Sequence, residues 1–251
     1  MSEIELDISN HLAEITLNRP PVNALSVAMM SDLIDALRTA DESGDVRAII
    51  VSGAGTCFSA GVDLREQLAA LENDEPGPGS RGLALYEALL GSRKPTIAAI
   101  NGPALGAGLG IAASCCILVA SETATVGLPE IQVGMLGGAR HAMRILGHST
   151  VNRMLLTGVQ LSARELYARN VVEACLPGPD LLPYARGIAA EIADKDPTAV
   201  ELARRALARV EDMSVLEGYA LEMHLADELG RTPAARKAME SFLRGGRKES
   251  S

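Results

Sequence analysis

The chain has 251 residues, 47% of them hydrophobic, enough to bury one substantial core or one core with a small appended piece. Acidic residues outnumber basic ones, 32 to 23, and aromatics make up only 2% of the chain, so neither a phosphate-tracking stripe nor a base-stacking platform is present and nucleic acid is excluded as a partner. The opening MSEIELDISN is acidic and lacks the apolar run of an export signal, from which a cytoplasmic protein is expected.

In chain order, Ile4 to Ile8 and Leu12 to Leu17 alternate apolar and polar residues around Asn10-His11, which predicts an amphipathic hairpin ended by Pro20 and Pro21. Ser26 is the expected N-cap of a helix reaching about Ser43, with Met29, Met30, Leu33, Ile34 and Leu37 on one face as core. Ala48 to Ser52 is a short apolar strand, and Gly53 to Gly61 (GAGTCFSAG) is too glycine-rich for a regular element. Asn73 to Ser80 (NDEPGPGS) has linker composition and is expected as a mobile loop between two helices, placed to gate a site.

The organising stretch is Lys94 to Gly138, which reads as strand, glycine turn, helix, strand and a loop ending on a carboxylate. Its first half, Thr96 to Ala120, carries no charge for twenty-five residues, long enough to span a membrane. Asn101, Pro103 and the spaced Gly102, Gly106, Gly108 and Gly110 break that run, and β-branched residues gather at its ends. Two buried strands flanking a tight turn satisfy this pattern, and a membrane helix does not.

Beyond it, Ser149 is expected to cap a helix to about Thr157, and Ser162 to Glu165 is a capping box opening another. Val171 to Ala174 reads as a last short strand. Helices then follow over Pro183 to Asp194, Pro197 to Arg209 and Val215 to Leu229, with a final one from Pro233, capped by Thr232, to about Arg244. Glu201, Arg204, Arg205 and Arg209 are expected on solvated faces. Cys57, Cys115, Cys116 and Cys175 have no CxxC or CxxH spacing and read as small buried hydrophobes, so neither disulfide nor metal is expected.

Chemistry is sparse. The two glycine turns, Gly53 to Gly61 and Gly102 to Gly108, each follow a strand, and the second enters a helix whose first N–H groups lack intrahelical partners. Together they can form an oxyanion hole, whose donors are worth ~3 to 4 kcal/mol each in acyl chemistry. Taken alone, the spacing is met more simply by two tight turns in an α/β core.

The motifs PPVNAL (Pro20 to Leu25), VRAIIVSGAG (Val46 to Gly55), FSAGVDL (Phe58 to Leu64), KPTIAAINGPALGAGLGIA (Lys94 to Ala112), TVGLPEIQVGMLGG (Thr125 to Gly138) and LTGVQLSARELYARNVVEACLP (Leu156 to Pro177) stand in the order and spacing of the crotonase, or enoyl-CoA hydratase/isomerase, superfamily, which the chain resembles over nearly its whole length. The resemblance implies an α/β fold: a ββα spiral core over residues 1–196 and a C-terminal helical trimerisation region over 197–251. It also implies a homotrimer or dimer of trimers, acyl-CoA thioester substrates, and coenzyme A as part of the substrate with no permanently bound cofactor. By position, the oxyanion donors would be the backbone N–H groups of Val62 and Ala107. Ala60 would lie near the adenine, Asp63 and Leu64 would flank the CoA site, and Arg65 would reach a CoA phosphate or stand as an exposed helix charge. Arg244, Arg247 and Lys248 would contact the CoA of a neighbouring subunit or form a frayed basic tail.

One departure from the family pattern bears on mechanism. Hydratases of the family carry one Glu in the helix after the glycine turn and a second in the xxPE loop. Here only the second remains, as Glu130 in VGLPE, whereas the first position is Gly110. A lone carboxylate in an apolar cleft has a raised pKa and both takes and returns a proton, which suits double-bond isomerisation or enolate protonation better than ordinary hydration. His141 stands where ordinary hydratases have a PGxGG turn, and it titrates near neutrality. Gly110 with His141 also resembles crotonase-fold hydrolases that open cyclic keto-acyl-CoA compounds by C–C cleavage. The expected activities are therefore an atypical hydratase or isomerase with Glu130 and His141 as catalytic residues, a C–C hydrolase, or a non-catalytic CoA-binding oligomer.

Overall fold

The computed structural model describes residues 3–245, so Arg247 and Lys248 lie outside the described residues. The chain forms two compact units, Met1–Glu191 and Ile192–Ser251.

In the first unit, β1 (Ile4–Ser9) and β2 (Leu12–Leu17) pair antiparallel, with Ile8 opposite Ala13. Asn10 and His11 between them have φ of 49° and 65°, the left-handed pair that a two-residue turn needs to match strand twist. Helix α1 (Val27–Glu42) begins where the Ser26 hydroxyl accepts from the Met29 N–H at 3.0 Å, and it buries Met29, Met30, Leu33 and Leu37. Strand β3 (Ala48–Gly53) precedes the first glycine turn. Helices α2 (Leu64–Glu72) and α3 (Gly82–Gly91) follow, the linker between them holding a 3-10 turn at Pro78–Arg81.

The charge-free stretch resolves into β4 (Thr96–Ile100), β5 (Ala104–Leu105), α4 (Ala107–Ser114) and β6 (Ile117–Ser121). Among the described residues no helix is long and apolar enough to cross a membrane. The chain continues through β7 (Thr125–Gly127), a 3-10 turn at Pro129–Val133, α5 (Ala139–Ile145), α6 (His148–Thr157), β8 (Gln160–Ser162), α7 (Ala163–Ala168), β9 (Cys175–Leu176) and α8 (Gly178–Ala193). The main sheet has the order β1-β2-β3-β4-β6-β9, parallel from β2 onward. Parallel strands covered on both faces read as unbroken apolar runs, which accounts for AIIV and TIAAI, both fully buried. Beside it, β5-β7-β8 form a smaller sheet from which the Glu130 loop departs.

Several local expectations shift. The last strand is Cys175–Leu176 rather than Val171 to Ala174, because regular pairing with β6 starts only at Ala120 opposite Cys175. Gly147, not Ser149, occupies the N-cap of α6, and Ser149 lies within its first turn. Helix α8 starts at Gly178 and contains Pro183, which had been expected to open it. Cys57 and Cys115 are buried as expected, but Cys175 is half-buried and Cys116 is exposed. The capping box at Ser162 forms as expected, Glu165 Oε2 accepting from Ser162 N at 2.9 Å.

The second unit contains α9 (Pro197–Val210), α10 (Val215–Gly230) and α11 (Pro233–Gly245). Leu202, Ala206 and Leu225 form its small core. Arg204 is buried at 7% exposure rather than solvated, although it stands two residues from both Leu202 and Ala206 and so on the opposite side of α9 from them. Arg205 pairs with Glu228 at 2.6 Å on the outside.

Candidate active site

The two glycine turns pack backbone against backbone. A Cβ on Gly102 would lie 1.9 Å from the Thr56 carbonyl oxygen, and one on Gly108 would lie 2.4 Å from that of Ser59. Leu105 N donates to the Ser59 carbonyl at 2.9 Å, locking the second turn onto the first. Asparagine amides hold the first turn from both sides: Asn23 donates to the Cys57 carbonyl at 2.7 Å, and Asn101 donates to that of Gly55 at 3.0 Å. Asn23 sits in the PPVNAL motif and is 1% exposed, so its part is to shape this turn.

This packing brings the two expected donors together. Leu25 N donates to the Gly61 carbonyl at 2.7 Å and the Leu25 carbonyl accepts from Asp63 N at 2.9 Å, a parallel bridge centred on Val62. In such a bridge the central residue's own N–H takes no part and faces the other side. A Cβ on the neighbouring Gly61 would lie 3.4 Å from Ala107 N, which belongs to the first turn of α4 and has no intrahelical acceptor. Val62 and Ala107 are both half-buried.

Glu130 stands directly beside this pair. It rides on the 3-10 turn after β7, and its Oε1 lies 2.7 Å from where a Cβ on Gly106 would be. Gly106 is therefore required twice over, by that approach and by its φ of +53° with ψ of −119°, a region closed to side-chain-bearing residues. Burial pushes the Glu130 carboxyl above the ordinary carboxylate range, against a smaller opposing effect from its own backbone N–H. Among the described residues its Oε2 is buried without a hydrogen-bond partner.

Gly110 is buried within α4, and the space its missing side chain leaves is filled by Tyr86 of α3: a Cβ there would lie 2.4 Å from the Tyr86 oxygen and 2.8 Å from Cζ. The Tyr86 ring packs on His141 of α5, with centroids 4.0 Å apart at 41°. Burial, then the Glu130 charge, pushes the phenol up to about 12, so it stays protonated. Burial, then the charges of Arg144 and Arg140, lowers the His141 pKa and favours a neutral imidazole. Glu130 and Tyr86 thus both meet the start of α4, and His141 lies against the Tyr86 ring; Tyr86 is a residue that sequence reasoning missed. The available signal was a tyrosine beside Glu87 inside the mostly apolar LALYEALL, in a chain with only four tyrosines.

The remaining expected residues have local partners of their own. Ala60 is half-buried, with its N–H donated to the Val22 carbonyl at 2.9 Å. The Asp63 carboxylate accepts from Arg65 N at 2.8 Å and Glu66 N at 3.3 Å as the N-cap of α2, and pairs with Arg19 at 2.7 Å. Leu64 and Arg65 are exposed on the first turn of that helix. Arg244 pairs with Glu240 at 3.2 Å on α11.

Comparison with known proteins agrees with this architecture. Residues 7–248 match the sequence profile described as Enoyl-CoA hydratase/isomerase. The 2,3-dehydroadipyl-CoA hydratase of Escherichia coli is 33% identical, covering 97% of this chain and 96% of that protein. The (7aS)-7a-methyl-1,5-dioxo-2,3,5,6,7,7a-hexahydro-1H-indene-carboxyl-CoA hydrolase of Mycobacterium tuberculosis is 32% identical, covering 93% of this chain and 95% of that protein. The crystal structure of an enoyl-CoA hydratase from Bacillus anthracis superposes with a TM-score of 0.89 at 28% identity, covering 97% of this chain and 96% of that one. On the profile match and these relatives, the chain belongs to the enoyl-CoA hydratase/isomerase family and has the crotonase fold.

Proposed function

We propose that this chain acts on acyl-CoA thioesters by moving a proton at carbon, and that its reaction is a double-bond isomerisation. The observation that supports this is the placement of a single carboxylate, Glu130, beside the Val62 and Ala107 N–H groups, with no carboxylate at position 110. In this reading the thioester oxygen accepts from both N–H groups and bears the charge that develops when a carbon next to the thioester loses a proton. Each donor contributes ~3 to 4 kcal/mol at that stage. Glu130, ionised and poorly solvated, takes the proton and returns it to another carbon of the same delocalised anion, so no water is consumed. Ordinary hydration asks for a second group to activate water. The space for one on α4 is occupied by the Tyr86 phenol, whose pKa of about 12 makes it a poor base.

A second reading is favoured by the neutral His141 held against Tyr86 and by the likeness to the indene-carboxyl-CoA hydrolase. His141 would deprotonate water for attack on a ring ketone, the C–C bond would break, and the departing thioester enolate would be protonated by Glu130. Incubation of the protein with a panel of CoA thioesters, read by mass spectrometry, separates the readings. A mass unchanged in ordinary water but raised by deuterium in heavy water, with a shifted double bond, supports isomerisation. Gain of one water with ring opening supports the hydrolase, gain of water across a double bond supports an atypical hydratase, and no turnover of any thioester supports a non-catalytic CoA-binding oligomer.

A further inference from the structure

Two side-chain oxygens face one turn of α4. Glu130 Oε1 lies 2.7 Å from where a Cβ on Gly106 would stand, and the Tyr86 oxygen 2.4 Å from where one on Gly110 would stand. Gly106 is the residue that caps α4 and Gly110 lies about one turn further on, roughly 6 Å along the axis, so the two oxygens meet successive levels of the start of this helix. Glu130 Oε2 is buried with no hydrogen-bond partner among the described residues, and the Tyr86 hydroxyl donates to the Ala107 carbonyl at 3.5 Å, the outer limit of a useful bond. Tyrosine hydroxyls withdrawn from water ordinarily hold a closer partner than that. The His141 ring against the Tyr86 ring keeps the hydroxyl aimed along α4.

We propose that Tyr86 is a specificity-determining residue that donates a hydrogen bond to a ketone oxygen on the acyl chain, so that the preferred substrate is a keto-acyl thioester rather than a plain one. The inference rests on the acyl-CoA reading of the site. Helix α3, which carries Tyr86, approaches α4 one turn beyond the Ala107 donor, so the oxygen it meets belongs to a carbon beyond the one that Glu130 serves. Tyr86 is a donor and the partner it calls for is an acceptor. A ketone offers two lone pairs and no proton, so unlike a hydroxyl it cannot turn aside to donate to the Glu130 carboxylate. This assignment does not depend on whether the chemical step is a proton shift or C–C cleavage.

The test is calorimetric titration of the full chain carrying Glu130→Gln, which blocks turnover, with 3-oxobutyryl-CoA and with butyryl-CoA, each repeated after adding Tyr86→Phe. The keto thioester is expected to bind about tenfold more tightly than the plain one, and Tyr86→Phe to bring the two within about twofold of each other. Equal affinities before the Tyr86 change overturn the proposal. So does a preference that survives Tyr86→Phe, or an equal weakening of both ligands with the preference intact, which makes Tyr86 a packing residue. Failure of both thioesters to bind the Glu130→Gln protein and the unsubstituted protein alike overturns the acyl-CoA reading itself, and this inference with it.

Discussion

The Tyr86 hydroxyl stands in the place that a side chain on Gly110 would enter, 2.4 Å from where its Cβ would be. The phenol is not free to swing away, because its ring is packed on His141 at a centroid distance of 4.0 Å. The absence of a carboxylate on α4 is thus matched by a substituent from another helix. That pattern fits a rebuilt site rather than a decayed one, and it bears on each variant below.

Gly110→Glu is expected to create no hydratase. The new side chain meets Tyr86 first, and overpacking of this kind costs about 1 to 3 kcal/mol. Water addition to crotonyl-CoA, followed by loss of the enoyl absorbance, should stay at background while the melting temperature falls. Gly110→Glu combined with Tyr86→Ala should recover part of that stability. Measured hydratase turnover in the single variant would return Gly110 to being a simple loss.

Glu130→Gln should lower turnover by roughly 10²- to 10⁴-fold, the usual scale for a general acid/base, while CoA affinity is retained, since binding draws on backbone and phosphate contacts. Joint loss of binding and turnover would make Glu130 a structural residue.

The pH dependence follows from the same carboxyl, whose pKa burial raises above the ordinary 4.5. The ionised form is the base, so kcat/KM should fall as pH drops through the raised value, and the acid limb should lie above that of a free glutamate. A raised folded value also means that the contribution to stability is present below the unfolded pKa and is lost as pH rises through the folded one. Thermal melts at neutral pH should therefore show Glu130→Gln at least as stable as wild type.

Gly106 and Gly134 provide a matched pair. Both have positive φ, +53° and +70°, but a Cβ on Gly106 meets Glu130 Oε1 at 2.7 Å whereas one on Gly134 meets nothing within 4 Å. Each Ala variant should lose about 1 to 3 kcal/mol from backbone strain. Only Gly106→Ala should also lower kcat well beyond its loss of stability, because it displaces the carboxylate. Equal kcat in the two variants would detach Glu130 from the reaction.

The expected trimer or dimer of trimers is proposed to use α10 and α11, where Val215, Leu216 and Phe242 are more than 80% exposed. Apolar side chains displayed this openly on adjoining helices are normally covered by another copy. Sedimentation at micromolar concentration should show a trimer or hexamer, and Leu216→Glu with Phe242→Glu should shift it toward monomer.

The sequence by itself determined the elements whose signals are local. Asn10-His11 specifies a hairpin turn through backbone preference, Ser26 caps α1 with its own hydroxyl, and Ser162 with Glu165 closes a capping box within four residues. The glycine turns and Glu130 were legible because their motifs are contiguous, and the missing carboxylate was visible as Gly110. Short-range signals misled where the deciding partner is remote: β9 begins where β6 offers it a pair, and Arg204 is buried against its own preference for solvent. Tyr86 is marked in the sequence only as a tyrosine among mostly apolar residues, which assigns it no site. Its place is settled only when α3, α4 and α5 pack so that a phenol, a bare glycine and an imidazole from three separate segments meet. Which side chain fills a gap depends on what surrounds the gap, and that is decided by tertiary packing.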